Sequence, residues 1–459
     1  MRGAVRQAFC GIVGGLSMFI TGCWQGWPSV FLRKLKRGET SFTLTQWQIA
    51  MCVALMDLAN AISPIPTGYF MEIYGRKPAF MATAVVFQLS WILVILANSP
   101  WLLYVSRIFA GIGKGMGFTI LPMYIAEVSE KQIRGALSTL FTLLLFGGTL
   151  FEYILGPYVS YMTLNIASTI FPLISFILCF FMPESPYFLL KVGRKEEAWK
   201  SFCFIRKRKK DEPVAGDDPV KEEMDAAEAL VKKEMENKSD WMELLRTRGN
   251  RRSCLAVFSL AVVQRLGGVS SLLAYSSTTL PEEGGGILGG PEHCVIYFGV
   301  LLTISNFLSM ALLDIIGRKP LLIISNIIMA VVLYATGVYF ILESTEDFDA
   351  NHLKWIPYVS ILVFAICYSL GIGVVPNTLL GEYFPANVKG KAAAAATIFF
   401  SLSSFSSNKL YPLISAEFGF QVMFLFFGTI NVVTIFLSFI LVYETKNKTF
   451  AEIQEMLNT

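Results

Sequence analysis

Uninterrupted apolar runs of about 20 residues recur along the whole chain, and that is the length an α-helix needs to cross a bilayer. About twelve are read, at roughly 8–30, 47–70, 79–97, 101–126, 136–158, 163–182, 253–280, 293–313, 320–342, 355–381, 391–412 and 420–442. In hydrocarbon every backbone N–H and C=O must be satisfied within the segment, so runs of this length dictate helices. Hydrophobic residues make up 54% of the chain and charged ones 16%, less charge than a soluble domain carries. The net charge of +4 is too mild to point to nucleic acid, and no such partner is expected. The first run is not a cleavable signal, because Gln25, Gly26, Trp27 and Pro28 near its end form no small-residue cleavage site.

Lys and Arg set the orientation. With the N-terminus cytosolic, Arg76, Lys77, Lys131, Arg134, Arg318, Lys319, Lys389, Lys391, Lys446 and Lys448 all fall on the cytosolic side. Arg33, Lys34, Lys36 and Arg37 fall outside and oppose this reading, but they are outnumbered. Both termini are therefore expected in the cytosol. Residues 183–252 form the only long polar stretch and split the runs six and six. The expected fold is all-α: twelve transmembrane helices in two pseudo-symmetric six-helix bundles, 1–182 and 253–443. A cytosolic helical linker (183–252) joins them, and 444–459 is a cytosolic tail. Trp199, Phe202, Trp241, Met242, Leu244 and Leu245 give the linker apolar faces. Such faces suit a small subdomain that latches the halves better than a solvated tether.

The two halves repeat each other. "MEIYGRKPAF" after the second run returns as "LDIIGRKPLL" after the eighth. "AEVSEKQIRGAL" after the fourth returns as "GEYFPANVKGKA" after the tenth, and "PESPYF" after the sixth as "YETKNKTF" after the last. The positive-inside rule alone would explain the cations. It does not explain Glu72, Asp314, Glu127 and Glu382 recurring in register. A doubled six-helix unit places its site at the membrane midplane between halves.

In this ordered set of motifs, with "RIFAGIGKGMGFTILPMY" and "QRLGGVSSLLAYS", the chain resembles the sugar porters of the major facilitator superfamily over essentially its whole length. "SFTLTQWQIA" and "PEHCVIYFGVLLTISNFLS" are most like the insect facilitated trehalose transporter branch. The resemblance implies facilitated diffusion of a sugar-like solute by alternating access, in a monomer embedded in the bilayer, with the plasma membrane as the expected location. A carrier of an organic anion or a proton-coupled solute, and a non-transporting solute sensor, are the alternatives. It implies substrate contacts from Gln264, Arg265, Ser270, Ser271, Tyr275 and Thr142, with a gate at Gly371, Gly373, Pro376 and Asn377. It implies a gating charge network of Glu72, Arg76, Arg107, Glu127, Arg134, Asp314, Arg318, Glu382 and Lys389, with Glu127 opposite Arg134 and Glu382 opposite Lys389.

The sugar shell departs from the family pattern. The paired Gln of the seventh run is Gln264–Arg265, and the Asn position that follows is Ser270. Thr142, Leu302, Asn377, Phe400 and Ser404 stand where the family carries other polar or aromatic side chains. Transport is thus implied more firmly than glucose specificity. Four charges also lie inside runs: Asp57, Lys114, Glu152 and Arg265. Each costs about 2.5–3.5 kcal/mol at mid-bilayer unless paired or facing water. Arg265 cannot shed its proton, so it needs Asp57, Glu152 or an occupant of the cavity. The first run carries no carboxylate, where the family's proton-coupled members have one. No enzyme constellation, metal-ligand spacing or cofactor motif is present; the two His, His293 and His352, lie far apart. Of the eight Cys, Cys294 is the one expected to meet the outside.

Both usable Asn-x-Ser/Thr sites, at Asn237 and Asn447, fall on the side read as cytosolic, and Pro100 bars the one at Asn98. The protein should therefore be unglycosylated, and N-glycosidase treatment should leave its gel mobility unchanged. A shift would overturn this orientation.

Overall fold

The computed structural model describes residues 3–40, 42–130, 133–207, 218–236, 241–283, 285–345, 350–448 and 450–458, and these are helical apart from turns and loops. Lys131, the Asn237–Ser239 site, Thr449 and the side chain of Arg134 lie outside the described residues.

The first bundle holds α1 (Ala4–Lys36), α2 (Gln46–Ile62), α3 (Pro64–Tyr74), α4 (Arg76–Ile95), α5 (Pro100–Val128), α6 (Arg134–Leu155) and α7 (Tyr161–Phe181). Four short helices follow: α8 (Pro186–Lys191), α9 (Lys195–Ile205), α10 (Pro219–Glu236) and α11 (Glu243–Arg246). The second bundle begins with α12 (Arg248–Gln264), α13 (Ser270–Thr279), α14 (Pro291–Ile316) and α15 (Arg318–Glu343). It continues with α16 (Trp355–Leu370), α17 (Val375–Tyr383), α18 (Ala386–Phe418) and α19 (Phe420–Leu441), and α20 (Phe450–Asn458) follows. The end of the molecule that carries α8–α11 and α20 is called the inner end below.

Among the described residues ten segments are apolar and long enough to span alone, taking α12–α13 and α16–α17 each as continuous. The pair α2–α3, bent by 47° where Pro64 follows Ser63, makes an eleventh. The twelfth crossing is α18, whose 33 residues are long enough but too polar to pass on composition. Its Ser401, Ser404, Ser407 and Asn408 are buried. A polar helix persists in a membrane only where its polar face is covered by protein or lines a cavity. Here α2 covers it: α2 packs on α18, α1 on α13 and α6 on α14, and these are the main contacts that join the bundles.

Two helices break where the sequence lacks a side chain that would resist. Between α12 and α13 a wide turn spans residues 265–269, with Gly268 at φ +113°, a conformation that costs an L-residue roughly 1–2 kcal/mol. Between α16 and α17 the helix unwinds from Gly371, and Pro376 restarts it.

The linker helices pack on their own halves. α8, α9 and α10 share a small core of Phe188, Leu189, Phe202, Ala227 and Val231. Arg206 carries them onto the first bundle by donating to the Val128 carbonyl at 3.1 Å, and Arg6 donates to the Phe204 carbonyl at 2.8 Å. α11 sits on α12, where Asn250 donates to the Glu243 carbonyl at 2.8 Å. α20 sits there too: Asn458 accepts from the Gly249 N–H at 3.0 Å, and Gln454 donates to the Tyr383 carbonyl at 2.7 Å. Phe202 and Leu244 are buried, whereas Trp241, Met242 and Leu245 are exposed. Cys294 is buried as well, against the expectation that it meets the outside.

The repeated turns owe their shape to Gly75 and Gly317, both at φ +101°. A Cβ at Gly317 would stand 2.8 Å from a Glu444 carboxylate oxygen. Gly317→Ala should therefore lose the glycine conformation, about 1–2 kcal/mol, and also disturb that carboxylate. Gly38→Ala, at φ +71° with open space around it, should lose only the former. Thermal midpoints from fluorescence-detected size-exclusion chromatography should fall further for Gly317→Ala. Equal midpoints would show the Glu444 contact to be inert.

Candidate functional site

At the centre of the molecule, charges from both bundles meet around a cavity of about 30 Å³. Lys114 on α5 donates to Asp57 Oδ1 on α2 at 2.7 Å, and both are almost fully buried. The other Asp57 oxygen accepts from Ser404 at 2.7 Å and Asn408 at 2.9 Å, both on α18 of the second bundle. One carboxylate thus binds the halves together. A turn further along, Asn60 donates to Ser401 at 2.5 Å across the same interface. Pairing suits both ions, since either alone in a low-dielectric interior would cost several kcal/mol.

Arg265 stands at the break between α12 and α13. Its guanidinium lies 3.6 Å from the Phe400 ring centroid and donates a long 3.4 Å bond to Ser270. Ser404 and Ser270 are 2.9 Å apart, which ties Arg265 to the Asp57 cluster through hydroxyls. Arg265 makes no ion pair among the described residues: Asp57 takes Lys114, and Glu152 is bonded to Ser168 at 2.5 Å within the first bundle.

The remaining residues expected at the site fall into two groups. Gln264 donates to the Gly373 carbonyl at 3.2 Å and lies 3.4 Å from the Tyr368 hydroxyl, so it braces the α16–α17 break. Ser271 bonds Ser407 at 2.9 Å, and Tyr275 donates to the Asn408 carbonyl at 3.0 Å while stacking on Tyr411. Gly371 leaves room for the Ser325 hydroxyl, and Pro376 is buried. Thr142 donates to the Thr139 carbonyl of its own helix, and Asn377 is exposed on α17; neither is drawn into the cluster.

The outer end is closed by ion pairs. Arg33 and Arg37, at the end of α1, reach the second bundle: Arg33 meets Glu282 at 2.5 Å, and Arg37 meets Glu292 at 2.8 Å. Arg33 also donates to the Ser277 carbonyl at 3.3 Å. Ser277 donates to the Ser29 carbonyl at 2.6 Å, and Tyr153 to the Leu273 carbonyl at 2.7 Å. Lys34 is satisfied by Glu39 at 2.9 Å and the Val159 carbonyl at 2.6 Å. This is the cation cluster that opposed the orientation rule. Its charges are spent on the loop carboxylates of Glu39 and Glu282 and on Glu292 in the first turn of α14. The Arg33 guanidinium holds the Glu282 carboxyl below its ordinary range.

At the inner end each repeated turn is a clamp within its own half. Arg76 pairs with Glu127 at 2.6 Å, and Arg318 pairs with Glu382 at 3.0 Å. Glu184 accepts from the Arg76 N–H at 2.9 Å, and Glu444 from the N–H groups of Arg318 at 3.1 Å and Lys319 at 2.9 Å. The expected pairing of Glu127 with Arg134 lies outside the described residues, whereas that of Glu382 with Lys389 lies within them. Lys389 donates to the Gly381 carbonyl rather than to Glu382. Glu72 is exposed and 3.8 Å from Lys191, and Asp314 is exposed and 3.4 Å from Arg318. Arg107 is not at this end: it is buried among the carbonyls of Trp24, Cys52 and Val53. Burial raises the Glu184 carboxyl despite its N–H donors; at Glu444 the donors outweigh burial and the carboxyl falls below its ordinary value. Glu184, Glu444, Glu282 and Glu292 were missed from sequence, although the "PES" and "YET" repeats mark the first two.

A family model described as "Sugar (and other) transporter" matches residues 4–457. A facilitated trehalose transporter Tret1 of Polypedilum vanderplanki is 30% identical over 98% of this chain and 88% of its own. A protein of the same name from Culex quinquefasciatus is 29% identical over 98% and 86%. The solved inward-open xylose transporter XylE from E. coli superposes with a TM-score of 0.79 at 20% identity, covering 97% of this chain and 98% of that one. XylE bound to 6-bromo-6-deoxy-D-glucose superposes with a TM-score of 0.75 at 20% identity, covering 99% and 100%. At that identity the structures speak to the fold alone.

Removing Arg33 or Glu282 should loosen the outer closure. Ser277→Cys, buried in the closed form, should label slowly with an impermeant thiol reagent added outside, and faster when combined with Arg33→Ala or Glu282→Gln. Because Arg33 depresses Glu282, the pair is intact at neutral pH and is lost only as pH falls below the ordinary carboxylate range, about 4. Labelling relative to the Arg33→Ala protein at the same pH, a ratio that cancels the fall in thiolate, should stay constant down to about pH 4 and change below it as the pair is lost. Equal rates in all three proteins would show that these pairs do not hold the outer end.

Proposed function

The chain belongs to the sugar (and other) transporter family, and from that premise we propose that it carries a sugar-like solute by alternating access, as facilitated diffusion. It is an integral multi-pass membrane protein and a transporter rather than an enzyme. The observation that carries the mechanism is the Asp57 carboxylate, held by Lys114 on one side and by Ser404 and Asn408 on the other. Bonds of this kind join the halves at the centre, and the Arg33 and Arg37 pairs join them at the outer end. Both sets must break for the cavity to open outward. Hydroxyl, amide and carboxylate groups that bond one another across a closed interface can bond a polyhydroxylated solute once it parts. The clamps of Glu127 with Arg76 and Glu382 with Arg318 keep each half rigid while it moves.

A uniport reading is supported by α1, whose sequence holds no carboxylate. The Tret1 likeness supports trehalose or a hexose as a starting point for the solute. The excess of cations at the inner end supports a cytosolic position for that end and for both termini.

Purified protein in liposomes should show saturable counterflow of at least one solute from a panel of hexoses, trehalose and sugar acids. An imposed pH gradient should not make it concentrative. Accumulation driven by protons would overturn uniport. Binding without counterflow for every solute would mean a sensor.

A further inference from the structure

The central cavity has more positive charge than its walls neutralise. Its lining includes Asp57, Arg107, Lys114 and Arg265, one anion against three cations. Asp57 serves Lys114 through Oδ1 and Ser404 and Asn408 through Oδ2, and its single charge is paired with Lys114 rather than Arg265. Arg107 is solvated by three carbonyls and flanked by the rings of Trp24 and Trp27 at 5.4 and 5.6 Å. Carbonyl dipoles stabilise that charge but do not cancel it.

Arg265 is the group left over. Among the described residues its one hydrogen bond, to Ser270, is 3.4 Å long, and its Nε is buried without an acceptor. The Phe400 face beneath it supplies a cation–π contact, worth roughly 0.5–2 kcal/mol and less than a counter-ion would give. Glu152, the other acid deep in the spans, belongs to α6, is spent on Ser168 and is not in the cavity wall. A guanidinium cannot discharge by losing its proton. In a low-dielectric interior such a surplus draws an anion.

We infer that the central cavity binds a small monovalent anion at Arg265, beside the Lys114–Asp57 pair, as part of the transport cycle. This rests on the reading of the protein as a carrier of sugar-like solutes. A cavity of about 30 Å³ has room for one or two waters by volume, hence for a carboxylate group or a halide and not for a sugar ring. The anion is therefore either a carboxylate on the solute itself, with its ring outside the present cavity, or a free halide that accompanies a neutral solute. Ser270, bonded to Ser404 and touched by Arg265, is the nearest hydroxyl, and it can turn its one proton to either anion by releasing Ser404.

Counterflow of D-glucuronate and of D-glucose should be compared in liposomes, each in chloride and in isethionate medium. A carboxylate-bearing solute gives glucuronate flux above glucose flux in both media. A halide site gives glucose flux that falls when chloride is withdrawn. Either result supports the inference if Arg265→Gln lowers the anion-dependent flux by about tenfold or more, the loss expected for a charge-assisted hydrogen bond, while Arg265→Lys retains most of it. Glucose flux that ignores chloride and equals or exceeds glucuronate flux overturns the anion and leaves the carrier standing. If no solute moves, the proposed carrier function fails. The anion is then decided by thermal shift of the detergent-purified protein: a rise with chloride or glucuronate over isethionate, absent in Arg265→Gln, supports it, and no rise overturns it. Size-exclusion profiles of both variants, matched to wild type, exclude misfolding as the cause of a loss.

Discussion

Asp57 is where the two halves of the fold meet. A carboxylate in the middle of a membrane protein must be paired, and Asp57 is paired by Lys114 from its own half. Pairing leaves one oxygen free to accept from the other half, and Ser404 and Asn408 take it. The ion pair thus makes a hydrogen-bonding surface that would be prohibitively costly as an isolated charge. The polar face of α18 exists because α2 offers it that surface. The small residues of α5 let α2 come close enough: a Cβ at Gly111 would run into the Met56 carbonyl, and one at Gly115 into the Ser63 hydroxyl.

The duplicated turns do a different job from the central cluster. In each half an arginine pairs with a glutamate two crossings along, while a second glutamate accepts from backbone N–H groups at a helix start. A helix N-terminus favours an anion there. Each clamp closes on itself within one bundle. Rigid bundles joined by breakable contacts are what a rocking motion requires, since packed interfaces switch between discrete arrangements rather than deform. The linker helices follow the same division, with α8–α10 on the first half and α11 and α20 on the second.

Much of this was legible in the chain. Span length, the doubling and the motif order gave an all-helical two-bundle fold because hydrocarbon leaves the backbone no alternative. The breaks near Gly268 and Gly371 could be read from Gly and Pro. What could not be read was which charge meets which. Arg265 and Asp57 lie at similar depth, yet Asp57 belongs to Lys114, one of several residues at workable depth. Arg33 and Arg37 looked like exceptions to an orientation rule because Glu282 and Glu292 are about 250 residues away in sequence. Pairing across a long separation leaves no local pattern. Asn377 and Thr142 were chosen by position in a family pattern, and position alone does not say whether a side chain joins a network.

The broken helix α12–α13 connects these parts. Arg265 sits at its break, where residues 265–269 depart from regular helix geometry. Ser270 and Ser271, just past the break, bond Ser404 and Ser407 of α18. Two turns on, Ser277 touches Ser29 and its carbonyl receives Arg33 at the outer closure. The break and the short helix after it therefore carry, in order, a cation with spare donor capacity, the hydroxyls that face α18, and the contact that seals the outer end. Gly268 makes the break possible, and Phe427 packs against the space its missing side chain leaves. A helix bent at that point can tilt its outer segment without moving α12. The charge at the cavity and the contact at the outer seal are thus connected through one bent helix.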